Sequence, residues 1–409
     1  MQIRSITVGI DAAWPLTEAP FQRAAAFLAA ARRRYEDAGL AVQTVRCATQ
    51  PFPDILGWEH PGQAPSLAQA TQTACSNVGI DYCSLGPVPA GRDGRHAEGF
   101  LAALPDMVCP TESIFATVEV ASRHAGVDFA NVAGAARAVR AIADGSQLGF
   151  GNLRFAALAN CPPNVPFFPA AFHGGGAPRF ALALETADVA VAALSAPDPA
   201  SAERELSAAI TRAAEPVEQV ALALEREFGV GYMGVDLSPA PFPERERSIG
   251  EAVERLGVAT FGSAGTLYAA ALITRALRRV NVRRCGFCGL MMPILEDAVL
   301  ARRAAEGVFT VPEALLYSAV CGTGLDTVPL AGDISQADLE GILLDVASLA
   351  LALDKPLTAR LMPVPGKRPG EPTEFAFAYF ANSAIMDVKG AGVGALMRKA
   401  LGGEGQSEA

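Results

Sequence analysis

Histidine occurs only four times in 409 residues, at positions 60, 96, 124 and 173. That scarcity argues against a metal cage built mainly from imidazoles. Charge is also thin, at 19% of residues against roughly 25% in an average globular chain. Basic residues are the minority, 33 Lys and Arg against 43 Asp and Glu for a formal charge of −10. The positive footprint that follows a phosphate backbone is therefore missing, and nucleic acid is not an expected partner. Neither Gly174-Gly175-Gly176 nor Gly322-Thr323-Gly324 continues into a dinucleotide or P-loop fingerprint, which leaves nucleotide binding unsupported. The stretch most like a membrane span, Gly257 to Thr274, is interrupted by Gly262, Ser263, Gly265 and Thr266 and reads as a buried helix, so no membrane partner is expected. The opening Met1-Gln2-Ile3-Arg4-Ser5 lacks the basic start and apolar run of a secretory leader. The expected setting is the cytoplasm, with the eight cysteines as reduced thiols.

No internal repeat and no long linker interrupts the chain. Length alone suggests about two to three domains of roughly 150 residues. Without a linker the expectation is one composite α/β body over residues 1–400, with any internal boundary at 145–152 and a fraying tail at 401–409.

What is present is a strand, helix, strand grammar. Ile6 to Ile10 alternates at period two, a helical pattern runs from Phe21 to Asp37 and stops at Gly39, and Leu40 to Val45 reads as the next strand. Further strands are expected at Tyr82 to Leu85, Asn152 to Asn160, Phe180 to Glu185, Gly231 to Leu237, Leu357 to Val364 and Phe375 to Tyr379. Helices are expected at Glu112 to Arg123, Val132 to Ala143, Glu203 to Glu227, Gly265 to Arg278, Glu296 to Glu306 and Gln336 to Leu353. The connection from Asn160 to Gly176 holds four prolines, three phenylalanines, His173 and three consecutive glycines. Rigid at one end and permissive at the other, it has the makings of a pocket-lining loop.

Several side chains could carry chemistry. His173, next to the glycines, is a candidate general base or metal ligand, or a histidine bonded to nearby backbone. Asp236, ahead of Ser238, and Asp326, after Gly324, are carboxylates at strand or loop tips, where α/β sites gather and where turns and caps also use them. Cys321 on a glycine-rich turn could face a cavity. Thr358 and Arg360 share a strand face, and with Lys355 they suit a carboxylate or phosphate. Arg92 and Arg95 lie in a turn-rich loop that could touch an anion. Cys285 and Cys288 have dithiol spacing, yet no second such pair exists to complete a zinc site.

A family resemblance draws these pieces together. The run Gly231 through Asp236-Leu237-Ser238-Pro239-Ala240-Pro241 with Ser248 to Gly257, the opening Ile3 to Ile10, the Ala171-Phe172-His173-Gly174 block, Cys321 to Asp326, and Lys355 to Lys367 together resemble an uncharacterised prokaryotic family related to pyruvate formate-lyase, domain of unknown function 711. The resemblance implies an α/β fold akin to the ten-stranded α/β barrel of glycyl-radical enzymes, with helices outside and a hairpin entering the barrel. Cys321 would be that hairpin's thiol. The closing Gly390-Ala391-Gly392-Val393-Gly394 does not match the radical-storing glycine motif, so the reaction does not travel with the fold.

The expected function is an enzyme acting on a small carboxylate or amino-acid-like metabolite in a barrel cavity, without glycyl-radical chemistry. His173, Cys321, Asp236 and Asp326 would supply catalysis; Arg360, Lys355, Thr358, Ser238, Gly174 and Gly175 would supply binding. The sequence assigns no cofactor and no metal. A non-catalytic metabolite-binding or regulatory protein and a metal-assisted hydrolase using His173 and Asp236 are the alternatives. Base rates for soluble oligomers point to a homodimer.

Overall fold

The computed structural model describes residues 1–92, 94–390 and 392–402, and for residues 94 and 95 the backbone alone. Ten strands form one sheet: β1 Gln2–Ile10, β2 Val42–Thr49, β3 Tyr82–Val88, β4 Ile114–Ser122, β5 Gly126–Val127, β6 Phe155–Ala159, β7 Arg179–Glu185, β8 Gly231–Asp236, β9 Gly324–Ala331 and β10 Leu357–Val364. Their order is β8-β7-β1-β2-β3-β4-β6-β10-β9, with β5 as an antiparallel flap on β4. Pairing is parallel except at β5 and at two seams, β7 with β1 and β6 with β10. The helices are α1 Ala19–Asp37, α2 Phe52–Leu56, α3 Ala64–Val78, α4 Gly94–Val108, α5 Phe129–Asp144, α6 Ala187–Ala193, α7 Pro199–Phe228, α8 Ile249–Arg255, α9 Thr266–Arg278, α10 Ala298–Ala305, α11 Val311–Ser318, α12 Gln336–Ala352 and α13 Gly394–Ala400.

Local chemistry explains the boundaries. Pro199 starts α7 behind Asp198, whose carboxylate accepts from Ser201 N at 2.9 Å, and Gly229 ends it in the left-handed region at φ 67°. One buried carboxylate, Asp297, caps α10 through Val299 N and Leu300 N and reaches across to Ser248 and Ile249 at the start of α8.

The sheet has two different faces. Ile6 and Val8 of β1, Val45 of β2, Leu85 of β3 and Val118 of β4 join one large core with the helices, and that core runs from Ile3 to Met397. On the other face Thr44, Arg46, Tyr82, Phe115, Thr358 and Arg360 border a shared cavity. Strong curvature is needed for this. In a flat sheet β1 and β10 would stand about 24 Å apart, five strand spacings of about 4.8 Å, yet Glu296 pairs with Arg4 of β1 and Arg360 of β10 at once. The sheet is not closed, because β8 and β9 are its ends and do not pair with each other. A single segment touches both ends: Arg284 bridges Val235 of β8, and Pro293 bridges Asp326 of β9.

Several sequence expectations need correction. Glu112 to Arg123 is strand β4 rather than a helix, because burial on both faces removes the period-two signature while Ile114, Thr117, Val118 and Val120 favour extended backbone. Phe375 to Tyr379 is irregular; its phenylalanines pack with Phe150 and Phe380 instead of joining the sheet. The strand expected from Asn152 covers Phe155–Ala159, preceded by a 3-10 turn at Gln147–Arg154 that holds the suggested boundary. Glu296 precedes α10 rather than starting it. Helices α3 and α4 and strand β9 went unanticipated. Of the tail expected at 401–409, Leu401 and Gly402 form a turn and the rest lies outside the described residues.

Candidate functional site

The cavity encloses about 110 Å³, well above the roughly 10–15 Å³ that admits one water. Much of its wall comes from the loop after β6. Phe167, Phe168, Pro169 and Ala170 border it, held by Ser5 and Thr7, whose hydroxyls donate to Pro166 O at 3.3 and 2.9 Å. Phe115, Phe287, Met291, Phe377 and Tyr379 add further apolar surface.

Set into this wall is a chain of alternating charge. Arg247 pairs with Glu185, Glu185 with Arg4 at 3.2 Å, Arg4 with Glu296 at 2.8 Å, Glu296 with Arg360 at 2.6 Å, and Arg360 with Asp326 at 2.5 Å. Burial works against the charge on Arg360, but Asp326 and Glu296 outweigh it and hold its pKa above the ordinary value. Burial also pushes the Asp326 carboxyl up, with Arg360 pulling the other way.

Arg46 stands outside this pairing. It is 9% exposed, its Nε donates to Thr44 Oγ1 at 2.9 Å, and its guanidinium lies 5.1 Å from the Phe168 ring centre and 5.7 Å from that of Tyr82. No carboxylate among the described residues pairs with it, and its terminal nitrogens find no acceptor there. Burial, reinforced by the nearby Arg4, lowers its pKa to about 10. Two oxygens on residues of the cavity wall, Gln43 Oε1 and Thr323 Oγ1, likewise make no hydrogen bond.

The residues singled out from sequence divide sharply. Asp326, Thr358 and Arg360 border the cavity together. His173 does not: it is fully buried at the end of β1, with Nδ1 3.2 Å from Asn164 Oδ1 and Nε2 3.4 Å from Gly176 O. Gly174 and Gly175 belong to the same turn, against Pro163 and Asp11. Asp236 is buried as the organiser of the Cys285–Cys288 loop, accepting from Ser238 Oγ at 2.7 Å, Phe287 N at 2.7 Å and Cys288 N at 3.0 Å. Ser238 thereby serves that loop too. Burial, with Asp236 adjoining, raises the thiol pKa of both Cys285 and Cys288, the reverse of a reactive dithiol. Cys321 packs in the helix-side core, and Lys355 ties the end of α11 by donating to Ser318 O at 2.7 Å and to Cys321 O. Arg92 stacks on Trp58 with 5.0 Å to the ring centre, and the Arg95 side chain lies outside the described residues. No group of three or more His, Cys, Asp and Glu side chains is arranged to hold a metal ion among the described residues.

Sequence reasoning missed Arg4, Arg46, Glu185 and Glu296. For Arg46 the available signal was an arginine at period two from Thr44, flanked by the apolar Val45 and Cys47 of the alternate face.

The family model for Uncharacterised ACR (DUF711) matches residues 1–382. The chain belongs to the DUF711 family. Its relatives include the UPF0210 protein of Pyrobaculum arsenaticum, 33% identical over 348 residues covering 81% of this chain and 76% of that one. The UPF0210 protein of Methanopyrus kandleri is 32% identical over 334 residues (79% and 73%), and that of Desulforudis audaxviator 30% over 365 residues (86% and 80%). The DUF711 match takes in all ten strands and every residue of the charged cavity wall. No helix of the described residues is long and apolar enough to cross a membrane.

Proposed function

We propose that the cavity binds a small carboxylate-bearing metabolite through Arg46 and that Asp326 exchanges a proton with it, making this chain an enzyme of a small-metabolite reaction. The observation that carries the reading is a buried guanidinium with no carboxylate partner beside an open, aromatic-walled space. A ligand carboxylate would supply the missing charge, and Arg presents a planar fork suited to it. Asp326 is the titratable group best placed for acid–base work, being at the cavity wall with its pKa moved up by burial. The relation to glycyl-radical enzymes is kept at the level of fold: the curved sheet whose two ends meet one segment supports a barrel-like enclosure. Free thiols throughout suit a reducing cytoplasm.

A second reading has its own support. Among the described residues the cavity wall carries no histidine, cysteine, serine or lysine, which favours a metabolite-binding protein without chemistry. Thermal-shift screening with small carboxylates, followed by mass analysis after long incubation, decides between them. Consumption of the bound carboxylate supports the enzyme, and recovery unchanged supports the binder. A binding signal that persists in Arg46→Met removes the shared premise. His173→Ala and Cys321→Ser are expected to lower stability while leaving carboxylate affinity within about twofold, since neither side chain borders the cavity.

A further inference from the structure

Counted in their charged forms, the groups on the cavity wall are three arginines, Arg4, Arg46 and Arg360, and two carboxylates, Glu296 and Asp326. Glu185 and Arg247 extend the chain behind the wall and cancel each other. One positive charge is left over, and it resides on Arg46. Resting on the carboxylate reading above, we infer that the site selects a monocarboxylate whose remainder is uncharged, and rejects dicarboxylates and other dianions of the same size.

One carboxylate on Arg46 brings the wall to neutrality. A second would need a second cation, and both remaining arginines are committed, Arg4 to Glu185 and Glu296 and Arg360 to Glu296 and Asp326. Engaging either would strip a partner from a buried pair and leave an uncompensated charge. Left unpaired, the second carboxylate would lie among aromatic rings and near two like charges, where a low dielectric magnifies repulsion.

The test uses the full chain and matched probes: butyrate against succinate, hexanoate against adipate, and 3-hydroxybutyrate against malate, titrated by calorimetry at pH 7. The expected result is a preference of at least tenfold for the monocarboxylate of each pair, abolished in Arg46→Met and partly kept in Arg46→Lys. Equal or tighter binding of the dicarboxylates, lost in Arg46→Met, overturns the monoanion inference and leaves the carboxylate site standing. Binding of both classes that ignores Arg46, or of neither class, overturns both. Thermal melts of each variant without ligand show whether a lost signal reflects the site or the fold.

Discussion

Arg46 and Arg360 are the same residue type, at the edge of the same cavity, with opposite expected effects on stability. Replacing Arg360 with Met would strand Asp326 and half of Glu296 in the interior, a loss of about 3–5 kcal/mol by analogy with other broken buried pairs. Arg46→Met removes a buried cation that has no carboxylate and stands near another arginine. Urea unfolding of the ligand-free protein should show it as stable as the parent or more so. A group whose removal helps the empty fold is kept for what it binds. The pH dependence follows in sign. Because burial brings Arg46 to about 10, below its value in the unfolded chain, the folded protein sheds that proton first, and the destabilising contribution of Arg46 shrinks as pH passes 10, so the stability difference between Arg46→Met and the parent should narrow there. Carboxylate affinity should weaken as well, toward tenfold per pH unit above about 10, measured by titration between pH 8 and 11. A pH-independent affinity over that range would detach the ligand from Arg46.

At the scale of elements, the segment from Arg284 to Pro293 controls the cavity without supplying a charge to it. Its path is fixed by close backbone approach: a Cβ on Gly289 would come within 2.6 Å of Gly322 Cα. Gly289→Ala should therefore cost about 1–3 kcal/mol and lower carboxylate affinity as well, because Phe287 and Met291 on either side form the wall. Thermal melts and titration read the two effects separately. How legible such elements were from sequence depended on whether one face carried the signal. In β10 the alternation of Thr358 and Arg360 with Ala359 and Leu361 was readable, since one face is polar and the other packs under helices. In β4 both faces are buried and the period vanished. Asp326 could be picked as a carboxylate at a strand tip, but Arg4 and Glu296 are 292 residues apart, and nothing local to either announces the other. His173 and Cys321 stand away from the cavity wall although both adjoin glycines: Gly322 and Gly324 beside Cys321 mark close backbone packing, whereas Gly175 and Gly176 beside His173 adopt positive φ with open space around them.

For the molecule as a whole, the charged wall joins β1, β2, β9 and β10 with the turn before α10, so ligand binding should report on global unfolding. At a ligand concentration 100 times its Kd the gain is about 2.7 kcal/mol, visible as an upward shift in Tm that Arg46→Met abolishes.

The Arg4 to Glu296 pair also has a meaning during synthesis. When β1 to β4 leave the ribosome, Arg4 and Arg46 are already built into them, and the partners of Arg4, Glu185 and Glu296, have yet to be made. At that point in synthesis the two arginines that β1 and β2 give to the cavity wall have neither of its carboxylates, Glu296 and Asp326, yet made to face them.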